Sequence, residues 1–241
     1  MQIVRDSILA LVAGAVGAGL TFGALVATGQ FNGARLDVQT SEGKKGFVAA
    51  SVGQMPGVIR NGKEFNPASR KGAAGVLFYN NNGDEAGGII SQLNKGSDGL
   101  PVGGISLSLD QVDHDGQAIS LMNYVQGGFA RSALRINDYP ADIDPKVIDD
   151  DPERIAAWKA VVAAKEEDQA KEFRKYQEFM GKKRYFSERI YLGTAGGKTR
   201  SAYLELKDSK SQPRLRLTVD ENDEPRIEFL DAKGKVKKVI K

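Results

Sequence analysis

The stretch GVLFYNNNGDEAGGII, Gly75 to Ile90, decides the fold class of this chain. Its two ends are apolar, and its middle, Asn80 to Glu85, consists of turn-forming residues. Asparagine and glycine tolerate positive φ angles, so such a cluster between two β-rich runs predicts a hairpin. We therefore expect the fold to be built from antiparallel hairpins.

The same pattern recurs along the chain. Turn-forming clusters divide residues 35–51, 105–122 and 215–240 into pairs of β-rich runs. In the last range polar and apolar residues alternate, which is the period of a strand with one buried face. The chain is predicted to be mainly β, an antiparallel meander of hairpins, with one N-terminal transmembrane helix and one long amphipathic helix.

The amphipathic helix is predicted from residue 149 onward. Asp149 to Glu153 supplies an N-cap aspartate, a proline suited to the first turn and acidic residues that complement the helix dipole. Gly181 is placed to end a helix of about 28 residues, roughly 40 Å long. Its apolar side chains pack on the protein's own sheet or dock on a neighbouring subunit. The docking candidates are Ile155, Trp158, Val162, Phe173 and Tyr176.

The amino-terminal segment has the composition of a membrane span. No charged residue occurs from Ser7 to Ala34, and Ile8 to Thr28 is an apolar run. At about 1.5 Å per residue this run reaches roughly 30 Å, the thickness of the hydrocarbon core of a bilayer. A secretory signal peptide has an apolar core of only about 7 to 15 residues. An uncleaved anchor is therefore favoured over a cleaved signal, with the remainder of the chain on the outer face.

Small residues recur every fourth position along the predicted span, at Ala15, Gly19, Gly23 and Ala27. They form one helical stripe, and Gly19 and Gly23 match the GxxxG pattern. Small side chains allow another backbone to approach closely, which promotes association of helices in lipid. The alternative is that glycine and alanine are simply common in membrane helices. We favour a packing interface with another integral membrane subunit.

The sequence predicts that the chain has four parts. Residues 1–33 are the transmembrane anchor, 34–140 a β-rich domain, 141–184 an acidic linker with the amphipathic helix, and 185–241 C-terminal hairpins that pack with the first β region. Residues 141–181 carry seven basic and eleven acidic side chains, so they are acidic, whereas 182–241 carry sixteen and nine. The chain has no cysteine, which excludes disulfides, thiolate nucleophiles and cysteine-ligated metals.

Candidates for catalysis or metal binding are weak. His114 is the only histidine, which excludes a multi-histidine metal site. Asp110, Asp113 and Asp115 could supply oxygen ligands for calcium, but their spacing does not match an EF-hand, and an ordinary polar hairpin is favoured. Asp84 and Glu85, together with Asp110, could supply the paired carboxylates of a glycoside hydrolase. Carboxylates are common, however, and the sequence does not give their separation.

Phosphate and nucleic-acid sites are not supported either. Gly193 to Thr199 has only three residues between its first glycine and Gly-Lys, where a P-loop has four. The lysines of Lys233 to Lys241 could bind acidic lipid or nucleic acid, but they are typical of an edge strand protected from aggregation. No catalytic residue, metal, cofactor or nucleic-acid partner is predicted.

Several short phrases, taken together, resemble a family of bacterial proteins of unknown function, exported or anchored by a single span, with a β-rich body. The resemblance covers residues 34–140 and, more loosely, 185–240. It implies a β fold and an envelope location, and it implies no activity. The phrases are Met55 to Ile59, Gly62 to Phe65, Ala74 to Asn80, Gly83 to Ile89, Leu107 to Gln111 and Asn137 to Pro140.

Two functions remain from the sequence. The first is a non-catalytic accessory subunit of the cell inner membrane, with a periplasmic β domain, that stabilises a larger membrane complex such as a respiratory or photosynthetic one. Its partners would be integral membrane subunits and the lipid bilayer, and a homo-oligomer is possible. The alternative is an envelope-anchored module or hydrolase that acts on carbohydrate or peptidoglycan.

Overall fold

The computed structural model describes residues 34–60, 62–65, 67–96, 98–111, 116–126, 128–194 and 200–241. The predicted membrane span, Ile8 to Thr28, lies outside these residues. Within the described ranges no helix has the length and apolar character needed to cross a membrane.

The described residues form fourteen strands, three α-helices and a short 3-10 helix, Pro67–Arg70. The helices are α1 Pro145–Asp150, α2 Pro152–Ala163 and α3 Glu166–Lys182. The strands are β1 Arg35–Gln39, β2 Lys45–Ala50, β3 Val58–Arg60, β4 Lys63–Phe65, β5 Ala73–Tyr79, β6 Glu85–Lys95, β7 Pro101–Asp110, β8 Gln117–Gln126, β9 Phe129–Asp138, β10 Ser187–Thr194, β11 Ala202–Lys207, β12 Pro213–Val219, β13 Pro225–Leu230 and β14 Val236–Ile240.

Twelve of the described strands form one antiparallel sheet in the order β1-β2-β5-β6-β7-β8-β9-β10-β11-β12-β13-β14. Neighbours in the sheet follow each other along the chain, apart from the separate hairpin β3-β4, so the sheet is a meander. The predicted mainly β class is therefore confirmed. The lysine-rich end, β14, is an edge strand, as its composition indicates.

Four of the described hairpin turns of the sheet are of one kind. At Asn80, Asp208, Asp220 and Asp231 the side-chain Oδ1 accepts hydrogen bonds from the backbone N–H groups two and four residues later. The fourth residue of each turn has a positive φ, between 61° and 83°. The turns predicted at Asn80 to Glu85 and Asp220 to Glu224 are thus present, whereas Asp113 to Asp115 lie outside the described residues.

One face of the sheet carries the elements that do not belong to it, and we call it the covered face. At one end the β3-β4 hairpin packs there, where Met55 and Ile59 join Val48 and Leu77 in a buried cluster. Further along, the helices lie over the same face, with Phe173 of α3 6.0 Å from the guanidinium carbon of Arg135 on β9. A second buried cluster joins the helices to the chain that leads into β10.

The predicted single long helix is wrong, because the structure has two helices in its place. Asp151 caps α2 as expected and accepts hydrogen bonds from Glu153 N and Arg154 N. The chain then leaves helical conformation at Ala164 and Lys165, where ψ is 144° and 153°. In one straight helix Trp158 and Tyr176 would be roughly 27 Å apart. Their ring centroids are 5.2 Å apart, so α3 folds back on α2.

Asp223 provides a test of the turn geometry, because its φ of 62° is one that side chains with a Cβ rarely adopt. Asp223→Gly is expected to raise the free energy of unfolding by about 0.5 kcal/mol, since the relief of backbone strain exceeds the added entropy of the unfolded chain. Urea unfolding followed by circular dichroism measures the change.

The matched control is Gly234→Ala, at the equivalent position of the last turn with a φ of 75° and open space around the added Cβ. It should lower stability by about 1 kcal/mol. Equal stabilities for both variants and the natural protein would contradict the shared turn.

Candidate functional site

The residues predicted for helix packing, Ala15, Gly19, Gly23 and Ala27, lie outside the described residues. Of the predicted docking residues, Ile155, Trp158 and Val162 are exposed, by 38%, 45% and 65%, while Phe173 and Tyr176 are half-buried. The fully buried apolar residue of α2 is instead Val161. Two of the predicted docking residues, Trp158 and Tyr176, therefore contact each other within the helix pair.

Of the three predicted carboxylates, Asp84 and Glu85 have hydrogen-bond partners within the fold, and Asp110 lies at the end of β7. Glu85 receives two hydrogen bonds from the Arg70 guanidinium, of 2.7 and 2.8 Å, and Asp84 is buried and accepts a hydrogen bond from Gly62 N. Asp113, His114 and Asp115 lie outside the described residues. In the ranges that the structure describes, no three metal-ligating side chains come together.

A row of alternating charges crosses the covered face of strands β9 to β13, and we call it the charge ladder. Glu188 stands between Arg135 and Lys207, with 2.5 Å to each cation. Lys207 lies 3.2 Å from Glu205, which is 2.7 Å from Arg216. The ladder consists of Arg135, Glu188, Lys207, Glu205, Arg216, Glu228, Arg226 and Asp220.

The acids of the ladder are buried but compensated. Glu188 is 3% exposed, and Glu205 and Glu228 are each 7% exposed. Burial raises the pKa of the Glu188 carboxyl, but the charges of Arg135 and Lys207 outweigh it, so that the pKa lies below its usual value. A catalytic acid needs a raised pKa. Glu188 therefore lacks the raised pKa of a general acid and is one member of a buried ion network.

A groove of about 1020 Å³ lies between the covered face and the helices α2 and α3, and we call it the aromatic groove. The rings of Tyr191 and Tyr203 stack in it with centroids 5.1 Å apart. Burial, followed by the neighbouring Tyr191, raises the pKa of the Tyr203 hydroxyl. Trp158 of α2 also lines the groove. Among the other lining residues are Tyr124, Arg131, Arg135, Phe173, Glu188 and Lys207.

The other face of the sheet is lined with apolar side chains, and we call it the apolar face. Cross-strand pairing aligns these side chains in two rows that cross all twelve described strands of the large sheet. The central row is Leu36, Ala49, Val76, Ile89, Leu107, Leu121, Leu134, Leu192, Leu204, Leu217, Ile227 and Ile240. The second row is Val38, Phe47, Phe78, Gly87, Leu109, Ile119, Ile136, Ile190, Leu206, Leu215, Phe229 and Lys238.

The apolar face is open in the described structure. Leu107 is 39% exposed, Leu121 55% and Leu192 49%, values far above those of core residues. Strands about 4.8 Å apart and two rows about 7 Å apart give a strip roughly 50 Å long and 15 Å wide, on the order of 700 Å². The largest apolar patch of a typical monomer is about 300–600 Å². The exposed apolar strip is therefore larger than the apolar patches of a typical monomer, and patches of such size are often functional.

Sequence reasoning found the alternating pattern but not this surface. Alternation in β12 and β13 indicates one apolar and one polar side for each strand, and it predicts that the apolar side is buried. Which side the helices cover depends on tertiary packing. The register pairs that align the rows, such as Leu107 with Leu121, are visible only once the strands are paired.

The comparisons with known proteins give no assignment. No protein-family model matches the chain. No curated protein matches it either.

Glu188→Gln tests the charge ladder. The variant leaves Arg135 and Lys207 facing each other without the carboxylate between them, so we expect the free energy of unfolding at pH 7 to fall by about 2–4 kcal/mol. Because the folded pKa of Glu188 is lowered, its contribution is present above the ordinary value of 4.5 and is lost as the pH falls below it. The difference in the free energy of unfolding between the natural protein and Glu188→Gln should therefore become smaller in acid.

Urea unfolding at pH 7 and below pH 4.5 measures both effects. The control is Glu172→Gln, which removes an ion pair with Lys175, whose side chain is 59% exposed, and should change stability by less than about 0.5 kcal/mol. A similar small effect for Glu188→Gln would show that the ladder contributes little.

Proposed function

We propose that the protein is a non-catalytic structural subunit, anchored in the cell inner membrane by its amino-terminal span, with the sheet in the periplasm. Its task is to bind and stabilise a larger membrane assembly through the apolar face. The observation that supports this proposal is the pair of apolar rows, which are aligned over twelve described strands and remain exposed.

The exposed apolar rows are in contact with water. Burying apolar surface is worth about 25 cal/mol per Å², so a strip on the order of 700 Å² is costly to leave hydrated. Association recovers this free energy, less the cost of the translational and rotational freedom that is lost on binding. The covered face, by contrast, has its acids paired with arginine and lysine along the charge ladder. The surface that needs a partner is therefore the apolar one.

The anchor and the apolar face would act together in this proposal. An anchored sheet is confined near the membrane, which raises its effective concentration toward membrane-bound partners. The predicted small-residue stripe adds a contact within the bilayer. The proposed assembly therefore has two contacts, one through the span and one through the sheet.

Leu121→Lys, in the central row, tests the use of the apolar face. The charge would have to be buried without a counterion on association, so proteins that co-purify with the full-length chain after gentle detergent extraction should be lost. Native electrophoresis and mass spectrometry detect them. Leu121→Met is the matched control, since it keeps an apolar side chain of similar volume and should preserve the partners. Equal recovery with both variants would contradict the proposal.

A second candidate, an envelope module that binds carbohydrate or peptidoglycan, is favoured by the aromatic groove. Sugar rings stack on aromatic side chains, and Trp158, Tyr191 and Tyr203 line one groove together with Arg131. This function would use the covered face rather than the apolar face.

Trp158 is the only tryptophan of the chain, so its fluorescence reports on the groove. Under the second candidate, titration with soluble peptidoglycan fragments should change this fluorescence in a saturable way, and Arg131→Ala should weaken binding about tenfold. Lys44→Ala, in the turn between β1 and β2 and several strands away from the groove, is the control and should not. A constant fluorescence signal would exclude the groove as the binding site.

A further inference from the structure

We propose that the partner on the apolar face is a second copy of this chain, packed face to face so that two sheets form a sandwich. The inference rests on the proposed function, because it names the first partner of the same surface.

The chemistry of the surface limits what can cover it. The two rows carry one charged side chain, Lys238, and it lies on the edge strand β14. The partner must therefore offer an apolar surface about 50 Å long with no need for charge complementarity. An α-helix with its side chains is about 10 Å wide and would have to be roughly 33 residues long to follow one row. A sheet with the same strand spacing fits such a strip better.

The same chain supplies a matching surface. Two sheets pack about 10 Å apart, with the side chains of their inner faces interdigitating. Rows with identical spacing satisfy this requirement on both sides. A two-fold axis uses the same patch on each copy, which is the commonest symmetry of soluble oligomers.

The area agrees with a stable dimer. About 700 Å² from each copy gives roughly 1,400 Å² in total, within the range of about 1,200–2,000 Å² for specific, stable interfaces. The centre of the patch is apolar, as the cores of homodimer interfaces are.

The elements outside the large sheet do not block the approach of a second copy to the apolar face. The β3-β4 hairpin and the helices α2 and α3 pack on the covered face, through Met55 and Phe173 among others. In the described structure they do not stand between two apolar faces. With complete overlap and an axis parallel to the strands, the axis would pass between β8 and β9, the two middle strands of the sheet order, which places Leu121 and Leu134 closest to it.

The first experiment measures the molar mass of the full-length protein in detergent by light scattering. Gly19→Ile and Gly23→Ile are introduced together, so that association through the predicted span does not contribute. We expect twice the mass of one chain. Adding Leu121→Lys should weaken association by a hundredfold or more and give the mass of one chain, whereas Leu121→Met should keep the dimer.

A cross-linking measurement covers the case that Leu121→Lys does not fold. The chain has no cysteine, so Leu134→Cys introduces one defined site. A short bis-maleimide should join two copies at Leu134→Cys near the proposed axis. It should not join them at Lys95→Cys, on the far end of β6 away from the axis.

The outcomes separate the two proposals. A dimer that cross-links at position 134 and is lost with the lysine supports the inference. A single-chain mass, with other protein subunits retained through Leu121, overturns the second copy and leaves the proposed function standing. A single-chain mass with bound lipid acyl chains on the face, and no protein partner, overturns both.

Discussion

The structure depends on the register of one antiparallel meander, which places an apolar side chain at the same level on every neighbouring strand. Leu107 lies opposite Ile89 and Leu121, and this pairing continues to both edges of the sheet. Each strand contributes little alone, because a two-stranded hairpin is marginally stable in water. Aligned side chains turn twelve such strands, all described here, into one continuous surface. In the proposed role, these aligned side chains would also form the contact with a partner.

The two faces of the sheet differ in composition and in how far other elements cover them. The covered face combines two small apolar clusters with the charge ladder, in which each buried glutamate has cations on both sides or close by. Such a network specifies the positions of β9 to β13, because removal of one partner leaves a buried charge uncompensated. The apolar face has no internal cover among the described residues. The asymmetry links the fold to the proposed role, since the side without its own cover is the side offered to a partner.

Much of the local structure could be predicted from the sequence. Asn80 and Asp220 indicated turns because their side chains satisfy backbone N–H groups, and Asp151 before Pro152 marked the start of a helix. The break at Ala164 was missed, because neither glycine nor proline announces it and the contact of Trp158 with Tyr176 is tertiary. The charge ladder was missed because Arg135, Glu188 and Glu205 are far apart in sequence. The apolar face required the pairing of all strands.

The most direct test of the account is the accessibility of the central row in the native membrane. Leu107→Cys and the exposed Lys95→Cys give single-cysteine proteins, and their reaction rates with a maleimide reagent can be compared in intact membranes and after partners are removed. The account predicts that Leu107→Cys reacts at least tenfold more slowly than Lys95→Cys in membranes and approaches it after removal. Equally fast reaction of both cysteines in the native membrane would contradict a covered apolar face.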